Sequence, residues 1–158
     1  MSSEMDPSEV TALQALLKKG YAELRRGNIA AAAQCCQQAL QAKPDLVPGH
    51  FLVGLVALEG KDRKTAFSAF QSVVKLDPNH GAAWAHLAKL YMSDGQVNLA
   101  DAALRETLRL QPDVPVVLDM IGTTLSLMGE YDAARAFYTQ ANEKKPDYPP
   151  FLQNLANN

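Results

Sequence analysis

Four prolines in this chain keep one interval: Pro44, Pro78, Pro112 and Pro146, in the tripeptides KPD, DPN, QPD and KPD, each stand 34 residues from the next. A fixed period of that length marks one supersecondary unit used again and again, which buries its apolar face only by stacking on its neighbours. With this period the units run 13–46, 47–80, 81–114 and 115–148, and residues 149–158 begin a fifth repeat or a capping helix. The twentieth position is Ala32, Ala66, Ala100 and Ala134 in turn, and the eighth is Gly20, Gly54, Ala88 and Gly122. Small residues held at two fixed places imply helices that cross closely there.

Each unit reads as a helical hairpin. In the third, Trp84, Leu87, Ala88 and Tyr91 have the i, i+3, i+4, i+7 spacing of one helical face, which breaks at Asp94 and Gly95. The break recurs at Gly27-Asn28, Gly60-Lys61-Asp62 and Gly129-Glu130, where glycine is expected to take the left-handed conformation that closes a helix. Pro48, Pro115 and Pro149 suit the first turn of the next helix, where a missing N–H costs nothing. Asp6, Pro7 and Glu9 read as the cap, first and third positions of a first helix that starts before residue 13. The pattern predicts an all-α chain of eight helices, each of about 12 to 16 residues.

These residues resemble the tetratricopeptide repeat (TPR). Trp84, Leu87, Ala88 and Tyr91 carry its W-x2-L-(G/A)-x2-Y pattern, and Ala66 with Phe70, and Ala134 with Tyr138, carry its A-x3-aromatic pattern. The units depart from it where Lys19 replaces Leu, Glu23 and Ala57 replace Tyr, and Cys36 and Leu104 replace the aromatic. The resemblance implies a right-handed α-solenoid of four hairpins plus a partial C-terminal helix, one TPR domain over residues 1–158. It also implies a concave groove lined by positions 2, 5, 6, 9, 12 and 13 of each unit's first helix.

On that register the groove takes Leu17, Lys18, Tyr21, Leu24 and Arg25 from the first unit and Phe51, Leu52, Leu55, Leu58 and Glu59 from the second. The third adds His86, Lys89 and Met92, and the fourth adds Asp119, Met120, Thr123 and Leu127. The stretch HFLVGLVALEG, residues 50–60, is then apolar nearly all round because one side packs and another faces the groove. If Tyr21, Phe51, Leu52, Leu55, Leu58, Met92 and Met120 lie together, the strip is larger than a free monomer commonly exposes. It is then suited to a peptide or amphipathic helix of a partner protein. The alternative is that superhelical curvature closes the strip into core.

Other chemistry is not written in the chain. Its 15 Lys and Arg against 17 Asp and Glu leave no positive excess for a phosphate backbone, so no nucleic acid is expected. The start, MSSEMDPSEV, has no basic stretch followed by an apolar run, and no segment reaches about 18 uninterrupted apolar residues, so a soluble, cytoplasmic chain without membrane insertion is expected. Cys35 and Cys36 are adjacent and point about 100° apart on a helix, unable to bridge each other or chelate a metal; one packed and one partly exposed thiol is expected. His50, His80 and His86 form no i, i+4 pair, and no P-loop or nucleophile elbow occurs, so neither a metal, a cofactor nor a catalytic residue is expected. His86 with Lys89, and Lys18 with Arg25, are candidates to meet an acidic group, though solvated charge is the plainer account. The TPR carboxylate clamp is missing, since its places hold Leu17 and Tyr21, then Leu52, then Ala82 and His86. So is the asparagine ladder of O-linked N-acetylglucosamine transferases, whose places hold Lys18, Leu52, His86 and Met120, with Asn154 alone.

The last ten residues, PPFLQNLANN, put Leu152, Leu155 and Ala156 at stacking positions of an unfinished helix. This reads as a cut through a longer protein in preference to a natural end. The expected function is a non-catalytic module binding a protein partner in an apolar groove. Two alternatives stand beside it: the N-terminal arm of a larger bacterial enzyme such as a TPR-sulfotransferase, serving substrate presentation or oligomerisation, and a homo-oligomer formed through the terminal repeat.

Overall fold

The computed structural model describes residues 5–144. Among the described residues the chain forms eight α-helices in sequence: α1 (Pro7–Arg25), α2 (Ile29–Ala42), α3 (Val47–Glu59), α4 (Arg63–Leu76), α5 (Gly81–Ser93), α6 (Val97–Arg109), α7 (Pro115–Leu127) and α8 (Tyr131–Lys144). No strand occurs among the described residues. The expectations placed on Pro146, Pro149, Leu152, Asn154, Leu155 and Ala156 lie outside those residues.

The helix ends follow from local chemistry. Asp6 caps α1 by accepting a hydrogen bond from the Glu9 N–H at 2.9 Å, with Pro7 at the first helical position as its sequence signature requires. Pro48 and Pro115 likewise stand in the first turns of α3 and α7.

All four hairpin turns are closed in one way. The N–H groups of Asn28, Asp62, Gln96 and Glu130 reach back to the carbonyls of Glu23, Ala57, Tyr91 and Leu125 at 2.8 to 2.9 Å, the six-to-one bond of a Schellman motif. The residue before each donor takes positive φ: Gly27 at 80°, Gly95 at 75°, Gly129 at 85° and, in the second repeat, Lys61 at 62°. The expected glycine turn therefore fails once. Gly60 sits one place too early, at φ −80°, and the left-handed position falls on a lysine.

Two compact units divide the chain, residues 1–78 and 79–158. In the first, α1 pairs with α2 and α3 with α4, and α3 also packs on α1 and α2. In the second, α5 pairs with α6, α7 with α8, and α5 packs on α7. The four alanines at the twentieth position have no exposed surface. The eighth position is where paired helices touch. A Cβ on Gly54 would lie 2.5 Å from the Phe70 ring, and one on Gly122 would lie 2.6 Å from the Tyr138 ring. In both hairpins the absent side chain makes room for the partner helix's aromatic ring. The first hairpin has Cys36 in place of that ring, and there a Cβ on Gly20 would meet Leu52 of α3 at 2.7 Å.

Candidate functional site

The residues expected to line a groove divide by burial. In the first unit, Leu17, Tyr21 and Leu24 of α1 are half-buried and pack against a core cluster of Ala32, Cys36, Leu52 and Val56. Leu52 belongs to that cluster and is 0% exposed. It was expected in the groove, and it instead seals α3 against α1 over Gly20, because a hairpin lacking its own aromatic has room for a leucine from the next. Phe51, Leu55 and Leu58 remain half-buried along one side of α3. Phe51 stands edge-on to Phe70, with ring centroids 5.6 Å apart at 63°, an arrangement that fixes its orientation. Lys18 and Arg25 are exposed on α1.

In the second unit His86 and Met92 are half-buried on α5 and Lys89 is exposed. On α7, Met120 is 6% and Asp119 8% exposed, so both leave the expected open strip and join the packed side of their helix. The Thr123 hydroxyl donates to the Asp119 carbonyl at 3.0 Å and accepts from the Tyr138 hydroxyl at 3.2 Å, which ties it into the α7–α8 hairpin. Leu127 is 51% exposed at the end of α7.

Burial also decides the electrostatics. It pushes the His86 imidazole down to about 4, with Lys89 and His80 adding to the effect, so His86 is neutral near pH 7. His86 therefore adds no positive charge beside Lys89, with which it was named as a candidate to meet an acidic group. Both cysteines are buried, correcting the expectation that one thiol is exposed. Burial, with Cys35 beside it, pushes the Cys36 thiol up to about 11, so it behaves as a small apolar group. Burial raises the Tyr21 hydroxyl as well, with a smaller contribution from Cys36. The other histidines serve the backbone. The His50 Nε2 pairs with the Pro44 carbonyl at 2.8 Å, and the His80 Nδ1 accepts from the Ala83 N–H at 3.1 Å as the cap of α5.

Among the described residues no group of three His, Cys, Asp or Glu side chains is placed to hold a metal, and no helix is long and apolar enough to cross a membrane. The register reading missed a cleft of about 400 Å³ in the first unit, bounded by α2, α3 and the start of α4. Its trace in the sequence is Ala57, a small residue at a position that holds Tyr91 in the third repeat.

Family models described as tetratricopeptide repeat match residues 11–47, 57–121 and 117–148. Superkiller protein 3 of Schizosaccharomyces pombe is 29% identical over 136 residues, 83% of this chain and 10% of that protein. Anaphase-promoting complex subunit 3 of the same organism is 23% identical over 110 residues, 70% of this chain and 16% of that one. The chain thus spans no more than 16% of the length of these curated relatives. The crystal structure of a thermophilic TPR protein of Thermus thermophilus superposes with a TM-score of 0.76 at 18% identity, covering 92% of this chain and 80% of that one. With family matches reaching into all four repeats and the helical hairpins observed in each, the chain belongs to the tetratricopeptide repeat family.

Proposed function

We propose that this chain is a protein-interaction module that takes a peptide segment or amphipathic helix of a partner along the half-buried apolar side chains of its first-of-pair helices. In the first unit, to which the proposal is confined, these are Tyr21 and Leu24 on α1 and Phe51, Leu55 and Leu58 on α3. The observation that carries the reading is the side of α3 left half-covered after packing on α1, α2 and α4. Three large apolar residues stand there with part of their surface still in water, and removing that surface contributes about 25 cal/mol per Å² before ordering costs. Lys18 and Arg25 supply polar edges of the kind an interface rim carries. Among the curated relatives, one is by its name a subunit of a multi-protein complex, which accords with a role in assembly.

The test is partner capture with the 158-residue chain, followed by titration of the captured protein against purified variants. Leu55→Glu and Leu58→Glu place charge on the half-exposed side of α3 and should each weaken binding at least about tenfold, a loss of about 1.4 kcal/mol, with circular dichroism unchanged. Unchanged affinity in both variants would overturn the assignment of this face.

A further inference from the structure

Where the second repeat uses apolar contact, the first presents charge. Positions 3, 6, 7 and 10 of the second repeat are Gly49, Leu52, Val53 and Val56 of α3. They face the hairpin before them: Leu52 and Val56 are buried in one cluster with Ala32 and Cys36, Val53 packs on it, and a Cβ on Gly49 would lie 2.9 Å from Leu40 of α2. In the first repeat the same positions are Ala15, Lys18, Lys19 and Ala22 of α1. Ala22 is half-buried and the other three are exposed. The side that holds a helical hairpin in α3 is therefore open in α1, and two lysines stand on it.

Arg25 continues the cationic strip, since a residue seven places after Lys18 lies two turns on and nearly in line with it. Little answers these charges. Among the described residues Lys18, Lys19 and Arg25 enter no ion pair. The neighbouring helix α2 carries no charged residue. The carboxylate of Glu23 is engaged within its own turn, accepting from Arg26 Nη1 at 3.2 Å and from Asn28 Nδ2 at 2.7 Å. Asp6 and Glu9 stand at the start of α1, at least roughly 13 Å along its axis from Lys18, which exceeds the screening length of ordinary salt. Glu59 holds on α3 the place that Arg25 holds on α1, and with it counted the balance is still positive. A face meant only for water mixes both signs, whereas this one is of a single sign.

We propose that this side of α1 docks an acidic α-helix of a partner protein, with carboxylates one heptad apart against Lys18 and Arg25, another against Lys19, and its backbone close over Ala15 and Ala22. The helical form of the occupant follows from the register, because the same side of α3 already holds a hairpin. Its sign follows from the lysines and the arginine. The strip shares Lys18 and Arg25 with the rim of the face assigned above, but Lys19 lies across α1 from Leu17, Tyr21 and Leu24 and separates the two sites.

The probe is a capped peptide of three alanine-based heptads, each with two adjacent glutamates, titrated at low salt into the isotope-labelled 158-residue chain. Saturable amide shifts are expected at Ala15, Lys18, Lys19 and Ala22, and affinity should fall as salt is added. The counterpart with lysine in place of glutamate should bind at least about tenfold more weakly. Lys18→Glu and Lys19→Glu each replace an attraction by a repulsion and should weaken the glutamate peptide about fivefold. Both side chains stand in solvent, so a dispersed spectrum will report an intact fold. Leu55→Glu, on the face assigned above, should leave this response unchanged, so that either site can fail without the other. The absence of saturable shifts, equal binding of the lysine peptide, a response untouched by Lys19→Glu, or one lost in Leu55→Glu would each overturn the proposal. So would binding of the chain to vesicles of anionic lipid in preference to the peptide, which would assign the strip to a membrane surface.

Discussion

Gly54 and Gly81 show how differently one residue type acts in this fold. A methyl on Gly54 has no space, since it would fall 2.5 Å from two carbons of a Phe70 ring that Phe51 already braces. Gly54→Ala should destabilise the protein by about 1–3 kcal/mol in urea unfolding, as overpacked cores do. A methyl on Gly81 meets only Leu110, at 3.7 Å, so Gly81→Ala should be neutral or stabilise by up to about 0.5 kcal/mol through helix propensity. A loss of stability in Gly81→Ala comparable to that in Gly54→Ala would break the contrast. His86 gives a pH dependence of definite sign. Its folded-state value of about 4 lies below the ordinary 6.5, so its contribution is fully present above pH 6.5, is lost as pH falls toward 4, and changes no further below that. The difference in unfolding free energy between the wild type and His86→Gln should fall by up to about 3 kcal/mol across that window. A difference that stays flat from pH 7 to pH 4 would show that burial does not hold the ring neutral.

At the scale of elements, the hairpins were legible because their punctuation is local. The breakers act within one hairpin and the proline period marks the junctions, while the small residues at position 8 admit a ring of their own hairpin at Gly54 and Gly122 but a leucine of the next at Gly20. The turn of the second repeat was not fully legible. GK at 60–61 contains a glycine, and only the shared register of the four Schellman motifs shows that the left-handed residue is Lys61 at φ 62°. Lys61→Gly should therefore stabilise the protein by about 0.5–1 kcal/mol by relieving that conformation, less whatever the unfolded chain gains in freedom. Thermal unfolding that shows a lower midpoint would contradict this. Groove and core residues were harder to separate, because in α3 positions 5 and 6, Phe51 and Leu52, are adjacent and both apolar. Phe51 stays half-covered while Leu52 is sealed, and what decides it is Gly20 and Cys36, some 30 and 16 residues earlier in the chain. Met120 is sealed likewise, in α7 beside Ile121 and Leu118, which are also buried. Helical periodicity sees neither, since it describes one helix at a time and burial depends on what packs against it.

On the scale of the molecule, the two compact units have separate hydrophobic clusters, one around Leu52, Cys36 and Val56 and one around Leu118, Tyr138 and Ala141. Repeat arrays draw stability from individual repeats and nearest-neighbour packing, so a lesion in one unit need not be felt equally in the other. The chain offers a direct way to see this, because its one tryptophan, Trp84, lies on α5 in the second unit, whereas helices of both units contribute to circular dichroism. Leu52→Ala opens a cavity in the first unit and should cost that unit about 2–5 kcal/mol. The dichroism transition should then begin at lower urea than in the wild type, while the Trp84 emission midpoint moves by a smaller amount. Probes that part company in this way indicate that unfolding is no longer two-state. If both midpoints instead shift together by the full amount, the four repeats unfold as one cooperative body and the separate clusters carry no independent stability.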